Sequence, residues 1–376
     1  MSEIVPIIMP KWGLSMLEGT VIKWWKKEGD KFAEGEEIVD VETSKITNGY
    51  EAPFGGRLAR IVAQEGEVVL VGGLIGVSAD ESIPSAEVDA FVARFQTNFV
   101  PEAEEQSEGG LLHIRTVEVD GKAYRVGTLG ELGAGNPVVL IHGFSGDLDN
   151  WLFNLDALQS EGPVVALELP GHGASSKVLE TGSLRELADV LVRVLEKLEV
   201  SAATLIGHSL GGAVAMRIAI DHPQLARSLV LLAPAGLPGS SVADDFIKGI
   251  VGAHQARQLL PALKMLFADE SLATRELAEE MMKYKRLDGV DEALAMIAGQ
   301  MQTGDQFAEL GGKLAGLPPT TVILGRDDRV VSAPDRASLP ASWAVVELES
   351  GHMLHMEQAS EVNKVMAAAL SKGDVQ

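Results

Sequence analysis

Cysteine is absent from the 376-residue chain, and basic residues are scarce. Without cysteine the protein has no disulfide and no thiolate nucleophile, so a nucleophile has to be a hydroxyl, an amine or a carboxylate. Lys and Arg number 31 against 54 Asp and Glu, which gives a formal net charge of −23. Because nucleic-acid binding needs clustered Lys and Arg, this balance argues against a nucleic-acid partner and against anionic membranes.

Long hydrophobic runs are also lacking. No uninterrupted apolar run approaches the roughly 20 residues of a membrane span. The apolar stretch Met1–Pro10 is short, with no basic start and no small-residue cleavage site, so it does not match a signal peptide. The sequence therefore predicts a cytoplasmic protein that does not enter a membrane. Its length suits two domains better than one core.

The first part of the chain has an all-β pattern. Short apolar runs separated by glycine-containing turns fill residues 3–79, which predicts a small barrel-like domain over residues 1–80. Residues 81–112 follow as a predicted linker. Within it, apolar residues at helical spacing predict an amphipathic helix over Ser85–Phe99, and the acidic stretch Pro101–Gly110 predicts a flexible segment.

Residues 113–376 have an α/β pattern. A hairpin turn is predicted at Asp120-Gly121, and buried-strand runs then alternate with helical patterns. The predicted strands are Pro137–Ile141, Pro163–Leu167, Ala203–Ile206, Ser228–Leu232, Thr320–Leu324 and Ala344–Leu348. Such runs suit a mostly parallel sheet that is covered on both faces. At about residues 237–316 the strand pattern stops, and the Met- and Leu-rich stretch predicts a helical cap over the sheet.

Lys45 stands between two strand-like runs, so we expect it at a hairpin tip, where a ligase can reach its amine. A lone exposed lysine is usually a solvated charge, but the motifs around Lys45 change this interpretation. They are Met9-Pro10-Lys11-Trp12-Gly13, Met16-Leu17-Glu18-Gly19, Glu28-Gly29-Asp30, Glu42-Thr43-Ser44-Lys45 and Glu65-Gly66-Glu67. Together they resemble the lipoyl domain of 2-oxo acid dehydrogenase complexes, a flattened all-β barrel. Biotin carrier domains share that fold, but methionines flank their modified lysine, whereas Ser44 and Ile46 flank Lys45. The resemblance implies that Lys45 carries lipoate in amide linkage.

A second motif, Gly207-His208-Ser209-Leu210-Gly211, follows a strand run and precedes a helical pattern. This is the context that a G-x-S-x-G nucleophile elbow requires, with Ser209 as the nucleophile. The backbone N–H groups of Leu210 and of Phe144, which follows His142-Gly143, are expected to form the oxyanion hole.

A nucleophilic serine needs a histidine base and an orienting acid, which follow it in the order Ser, acid, His. Of the eight histidines, His352 comes directly after the glycine of the last strand's turn, and we prefer it to His355. Residues 114–371 resemble the α/β-hydrolase superfamily, whose acid lies three residues after a glycine. That position is Asp328, with Asp327 as the runner-up. No carboxylate–histidine cluster supports a metal site, and we predict none.

The two motifs together resemble the acyltransferase component of acetoin-cleaving (acetoin dehydrogenase) systems, some of which join a lipoyl domain to an α/β-hydrolase domain. The His-x-x-x-Asp-Gly signature of the better-known acyltransferase components is absent, because Thr116 precedes Asp120-Gly121 and Tyr284 precedes Asp288-Gly289 at the histidine position. The resemblance implies acetyl transfer from lipoyl-Lys45 through the serine to coenzyme A.

The same resemblance implies two partners, a thiamine-diphosphate-dependent acetoin-cleaving component and a flavin-dependent dihydrolipoamide dehydrogenase, and it allows a homo-oligomer. Two alternatives stay open, namely a lipoyl-tethered hydrolase with water as the acceptor and a lipoyl carrier with a non-catalytic hydrolase-fold scaffold. Coenzyme A needs cationic partners for its phosphates. Lys283, Lys285 and Arg286 form a local basic cluster in the predicted cap. We hypothesise that this cluster helps to bind coenzyme A, against the alternative of a solvated charged face.

Overall fold

The computed structural model describes residues 4–10, 18–42, 47–52, 54–99, 112–133 and 135–373. Its internal contacts divide the chain into two compact units, Met1–Gly109 and Gly110–Gln376. None of the described helices is long and apolar enough to cross a membrane.

The described strands of the first unit form two four-stranded antiparallel sheets, in the orders β1-β8-β6-β3 and β5-β4-β2-β7. These strands are β1 (Val5–Ile8), β2 (Glu18–Trp24), β3 (Lys31–Phe32), β4 (Glu37–Glu42), β5 (Thr47–Glu51), β6 (Gly56–Ile61), β7 (Val68–Leu70) and β8 (Leu74–Ser78). Residues such as Val21, Val39 and Ile75 are buried in the core between the sheets. The pairing of β4 with β5 reaches Glu42 and Thr47. Lys45 belongs to the connection between them, outside the described residues.

The predicted amphipathic helix is present as α1 (Ser85–Asn98). Its Val88 is buried with Leu74 and Val77 of β8 in a second small core. Arg60 of β6 donates to the Ser85 hydroxyl at 2.9 Å and pairs with Asp89 at 2.6 Å. The helix therefore packs against β6 and β8 of the same unit. The segment predicted to be flexible, Pro101–Gly110, lies outside the described residues.

The second unit is built on an eight-stranded sheet with the order β16-β15-β14-β13-β11-β12-β10-β9. Its strands are β9 (His113–Val119), β10 (Lys122–Leu129), β11 (Val138–Ile141), β12 (Val164–Leu167), β13 (Ala203–His208), β14 (Ala226–Leu232), β15 (Thr320–Gly325) and β16 (Ala344–Leu348). The pairings from β12 and β11 through to β16 are parallel, whereas β10 is antiparallel to both β9 and β12. The predicted hairpin is confirmed, since Asp120 and Gly121 both adopt positive φ at its turn.

Helices cover the sheet and form the cap. They are α2 (Leu155–Gln159), α3 (Leu184–Lys197), α4 (Leu210–Asp221), α5 (Asp244–Gly252), α6 (Ala256–Met265), α7 (Arg275–Lys285), α8 (Val290–Thr303), α9 (Asp305–Gly311), α10 (Leu354–Glu357) and α11 (Ala359–Gly373). Helix α3 shows why such sequences form helices here. The Ser183 hydroxyl caps its first turn by accepting the Glu186 N–H, and Leu184, Leu187 and Leu191 bury one face. Each buried leucine stabilises the fold by about 1.5–3 kcal/mol relative to an exposed one. Helices α5 to α9 lie between β14 and β15 in the chain, where the cap was predicted.

Candidate active site

Ser209 occupies a sharp turn between β13 and α4. Its backbone has φ 53° and ψ −117°, a conformation that costs a non-glycine residue about 1–3 kcal/mol. The flanking glycines leave no room for side chains, because a Cβ on Gly207 would run into the backbone of Gly211, and one on Gly211 would run into the Ile141 carbonyl. Ser209 is buried at 4% exposure. The strand–turn–helix context predicted for the serine is therefore present.

The predicted site residues follow four strands at the same edge of the sheet. Phe144 follows β11, Ser209 follows β13, Asp328 follows β15 and His352 follows β16. These strands run parallel, so their carboxyl ends face one way, and open α/β sheets bind ligands at that edge. Topology thus brings together residues that are far apart in sequence.

Asp328 and His352 form a direct hydrogen bond. His352 Nδ1 lies 2.8 Å from Asp328 Oδ2, and both side chains are buried. Because a carboxylate can only accept, Nδ1 carries the proton, which leaves Nε2 with a lone pair that can accept a proton. The other carboxylate oxygen accepts the Val330 and Val331 N–H groups at 2.8 and 2.9 Å. Asp327 is exposed, so the geometry favours Asp328 over it.

The loop after β11 packs directly against the serine. A Cβ added to Gly143 would lie 3.1 Å from Ser209 Cβ, so the loop can approach only because residue 143 is glycine. His142 fixes the loop from behind, since its Nδ1 donates to the Gly143 carbonyl at 2.8 Å and its Nε2 accepts the Leu169 N–H at 3.0 Å. Burial lowers the pKa of His142 to about 4, so the ring stays neutral and keeps both bonds.

Buried aromatic rings lie behind His352. The His208 ring lies 4.7 Å from His352 and 4.5 Å from His355, which in turn lies 5.0 Å from Trp151. His208 Nε2 donates to the His352 carbonyl at 3.0 Å. Burial, followed by the charges of His355 and His352, lowers the pKa of His208 well below its usual value. His208 and His355 are therefore neutral packing groups, and of these three rings only His352 bonds to an acid.

Comparison with known proteins identifies both units. The family model described as Biotin-requiring enzyme matches residues 5–77, and the model of the Alpha/beta hydrolase family matches residues 138–365. A dihydrolipoyllysine-residue acetyltransferase component of acetoin cleaving system, from Pseudomonas putida, is 44% identical over 373 residues, which is 99% of this chain and 100% of the relative. The component of the same name from Cupriavidus necator is 40% identical over 366 residues, 96% of each chain.

The chain belongs to this acetyltransferase family. The family predicted from the two motifs is therefore confirmed, and so is the fold class. Solved structures agree with the fold. A meta-cleavage product hydrolase from Pseudomonas fluorescens matches with a TM-score of 0.62 at 22% identity, covering 69% of this chain and 98% of that one. The epoxide hydrolase CorEH matches with a TM-score of 0.59 at 19% identity, covering 69% and 99%. At these identities the likeness shows the fold alone.

The basic cluster expected to bind coenzyme A in this acetyltransferase-family chain needs a correction at Lys285. Its side chain is 1% exposed, pairs with Asp291 at 2.6 Å and donates to the Val251 carbonyl at 3.3 Å. A buried ammonium that is already paired is not available to a phosphate. Lys283 and Arg286 are exposed. The sequence suggested one cluster of three basic side chains because spacing along the chain does not show which of them faces the core. Among the described residues, no group of three or more acidic or histidine side chains could hold a metal ion.

Sequence reasoning also missed two side chains near the site, Arg329 and Glu357. Arg329 follows the acid directly, and Glu357 lies five residues after the base. Both bond to the cap segment 264–270, which is 59 to 89 positions away in sequence. No local motif could have shown these contacts, because they depend on where the cap folds.

Proposed function

We propose that this protein transfers an acetyl group from the dihydrolipoyl group on Lys45 to coenzyme A, with Ser209, His352 and Asp328 as the catalytic residues. The similarity to acetyltransferase components of acetoin cleaving systems, which extends over both units, carries the proposal. The bond between His352 and Asp328, the positive φ of Ser209 and the position of all three residues after the carboxyl ends of parallel strands support the choice of residues.

Lys45 is the proposed attachment site. The motif around it and the match to the Biotin-requiring enzyme model support this assignment. So does the antiparallel pairing of β4 and β5 up to Glu42 and Thr47, since it leaves Lys45 in the connection between two paired strands. Lipoate bound to this lysine would supply the acetyl group as a thioester.

In the first half-reaction His352 Nε2 accepts the Ser209 hydroxyl proton while Oγ attacks the thioester carbonyl carbon. Asp328 holds Nδ1–H and stabilises the imidazolium that forms. Within the described ranges, the Phe144 and Leu210 N–H groups have no protein acceptor, so both can donate to the oxyanion. His352 would then give this proton to the leaving sulfur as the C–S bond breaks, and Ser209 would keep the acetyl group on Oγ.

In the second half-reaction the coenzyme A thiol gives its proton to His352, and its sulfur attacks the acetyl-serine. The C–Oγ bond breaks, and Ser209 regains its proton from the imidazolium. Neither half-reaction oxidises or reduces a group. One thioester is exchanged for another, so productive transfer requires that coenzyme A, and not water, attacks the acetyl-serine.

The names of the relatives place them in an acetoin cleaving system, and the resemblance noted in the sequence suggests which two partners this chain would have. A thiamine-diphosphate-dependent acetoin-cleaving component loads the arm, and a flavin-dependent dihydrolipoamide dehydrogenase reoxidises it. Within this scheme the first unit is the carrier and the second unit is the transferase.

The test uses S-acetyl-dihydrolipoamide as the donor with the full-length protein, with and without coenzyme A. Acetyl-coenzyme A, free thiol and free acetate are measured together. The proposal predicts that the wild-type protein forms acetyl-coenzyme A and releases little acetate. Ser209→Ala should form no acetyl-coenzyme A. Equal release of acetate with and without coenzyme A, with no acetyl-coenzyme A, identifies a hydrolase instead. Wild-type rates in Ser209→Ala leave only a carrier with a non-catalytic scaffold.

A further inference from the structure

The loops that carry the acid and the base of the site are both bonded to one segment of the cap. This segment, Lys264–Glu270, runs from the end of α6 into the short helix that follows. It contains no residue of the proposed triad. Its contacts with the two loops come mainly from Arg329 and Glu357, neither of which the proposed mechanism uses.

Arg329 binds the segment from the acid side. Its guanidinium donates to the Lys264 carbonyl at 2.5 Å, to the Phe267 carbonyl at 2.7 Å and to Glu270 Oε1 at 2.6 Å. Three charge-assisted bonds from one planar guanidinium fix both the position and the orientation of the cap segment relative to Arg329. The guanidinium also lies at the carboxyl end of α6, where the helix dipole favours a cation. Because Asp328 is the preceding residue, these bonds hold its backbone.

The other side of the acid loop is held at the entry to the cap. The Ala243 N–H donates to the Val330 carbonyl at 2.8 Å, and Val242 pairs with Val331. Asp328 Oδ1 in turn accepts the N–H groups of Val330 and Val331. The acid is therefore fixed between two parts of the cap, one on each side of its loop.

The base is held by both of its chain neighbours. The Met353 N–H donates to the Leu266 carbonyl at 3.0 Å. Glu357 accepts the Gly351 N–H on Oε1 at 3.0 Å and the Ala268 N–H on Oε2 at 2.8 Å, so its carboxylate bridges the turn before His352 to the cap. The approach is close, since a Cβ on Gly351 would lie 2.5 Å from Ala268 N.

We propose that Arg329 and Glu357 are positioning residues, which hold Asp328 and His352 in register by clamping both loops to the cap segment Lys264–Glu270. The clamp fixes this segment to both loops, so it does not act as a moving lid, because lifting it would break five hydrogen bonds. This inference rests on the proposed function, since it assigns Asp328 and His352 their catalytic roles.

The first test compares Arg329→Ala with Arg326→Ala. Arg326 lies on the same loop, is similarly exposed and pairs with Glu347 and Glu349 instead of the cap, so it is a matched control. A displacement of about 1 Å costs up to about 100-fold in rate. We expect Arg329→Ala to lower kcat about 10- to 100-fold with KM within threefold, and Arg326→Ala to stay within twofold. Arg329→Lys restores part of the rate, because an ammonium reaches a carbonyl but cannot form the fork.

The second test is Glu357→Gln, which keeps the size of the side chain. A glutamine oxygen can accept only one of the two N–H groups, and its NH₂ group faces the other donor. We expect a fall in kcat of about tenfold. Glu361→Gln is the control, since Glu361 is exposed and pairs with Lys364 away from the cap. This isosteric variant keeps the proposal testable if Arg329→Ala does not fold.

Two further readouts separate this inference from the proposed function. Hydrogen exchange at Ala268 and Gly351 reports whether the clamp is broken, whatever the activity. The rate at which a fluorophosphonate probe labels Ser209 reports on the triad without any acyl acceptor. The inference predicts faster exchange and slower labelling in Glu357→Gln and Arg329→Ala. Faster exchange with wild-type labelling and kcat would overturn it, and so would unchanged exchange in both variants. If wild-type protein labels rapidly but makes no acetyl-coenzyme A, only the transferase assignment fails.

Discussion

The two units place their proposed reactive residues in different ways. The first unit has Lys45 in the connection between two paired strands, and its neighbours in sequence carry the whole signal. The second unit assembles Ser209, Asp328 and His352 from the ends of three strands. A carrier needs one accessible group, whereas a catalyst needs several groups in fixed relation. The first unit should therefore tolerate change at most positions other than its lysine, while the second should be sensitive even at residues that touch no substrate.

The largest expected effects come from replacing the proposed reactive residue of each unit, Lys45 in the first and Ser209 in the second. Lys45→Arg should abolish the lipoyl mass increment yet leave transfer from free S-acetyl-dihydrolipoamide intact. Ser209→Ala should keep the lipoyl group but lose transfer by a factor on the order of 10⁴–10⁶. Intact mass and the two-substrate assay measure the pair. A lipoyl increment that survives Lys45→Arg would move the attachment site elsewhere.

The next prediction tests whether the second unit uses Asp328, and not Asp327, as its catalytic acid partner. Asp328→Asn should lower kcat by a factor on the order of 10⁴, because an amide cannot hold Nδ1–H in the same way. Asp327→Asn should stay within about twofold, since that side chain is exposed. Steady-state kinetics of both variants measure the difference. The reverse ranking would make Asp327 the acid.

Sequence predicted the second unit well where local signals exist. Strand β16 has the predicted bounds, Ala344–Leu348, and the glycines on either side of Ser209 correctly indicated a sharp turn between a strand and a helix. Sequence failed where a feature depends on a partner. No apolar run predicted strand β3 of the first unit, which has only two residues and pairs with β6. The basic cluster was expected to be accessible, but Lys285 is buried, and Asp291 and the Val251 carbonyl are the partners of its ammonium group.

Helix α1 lies between these cases. Its apolar spacing predicted a helix over nearly the same residues, but the spacing did not show what the apolar face packs against. The structure packs that face on β8 of the first unit. The positioning contacts of Arg329 and Glu357 had no signal in the chain, because they depend on long-range packing of the cap.

A third effect compares glycines in the two units. A Cβ on Gly211 would meet the backbone of the neighbouring strand, so Gly211→Ala should lower the free energy of unfolding by about 2–4 kcal/mol. Gly66 has φ +89° with nothing within 4 Å of a Cβ, so Gly66→Ala should cost only the left-handed strain, about 1–2 kcal/mol. Pulse proteolysis in urea reports on each unit through its own fragments. Equal costs would mean that the elbow is not tightly packed.

The smallest effect concerns pH, where the two units differ in composition. All eight histidines lie after residue 112, so only the second unit contains them. Burial, and then the charge of His352, lower the pKa of His355 to about 3 from an ordinary value of 6.5. Neither ring nitrogen has a described partner. Since the unfolded chain binds the proton more readily, the stability linked to His355 is fully present above pH 6.5 and is lost progressively as pH falls toward 3.

At pH 5 the loss from this one ring is on the order of 2 kcal/mol. His355→Phe removes the titrating group and keeps an aromatic ring beside Trp151 and His208. We expect the variant to match wild type at pH 7 within about 1 kcal/mol and to gain on it by about 2 kcal/mol between pH 7 and pH 5. Urea unfolding of the second unit at several pH values measures this gain, with the histidine-free first unit as the internal control. If the difference between variant and wild type does not change with pH, the His355 ring is protonated equally in the folded and unfolded chain, and the neutral packing role assigned to it is wrong.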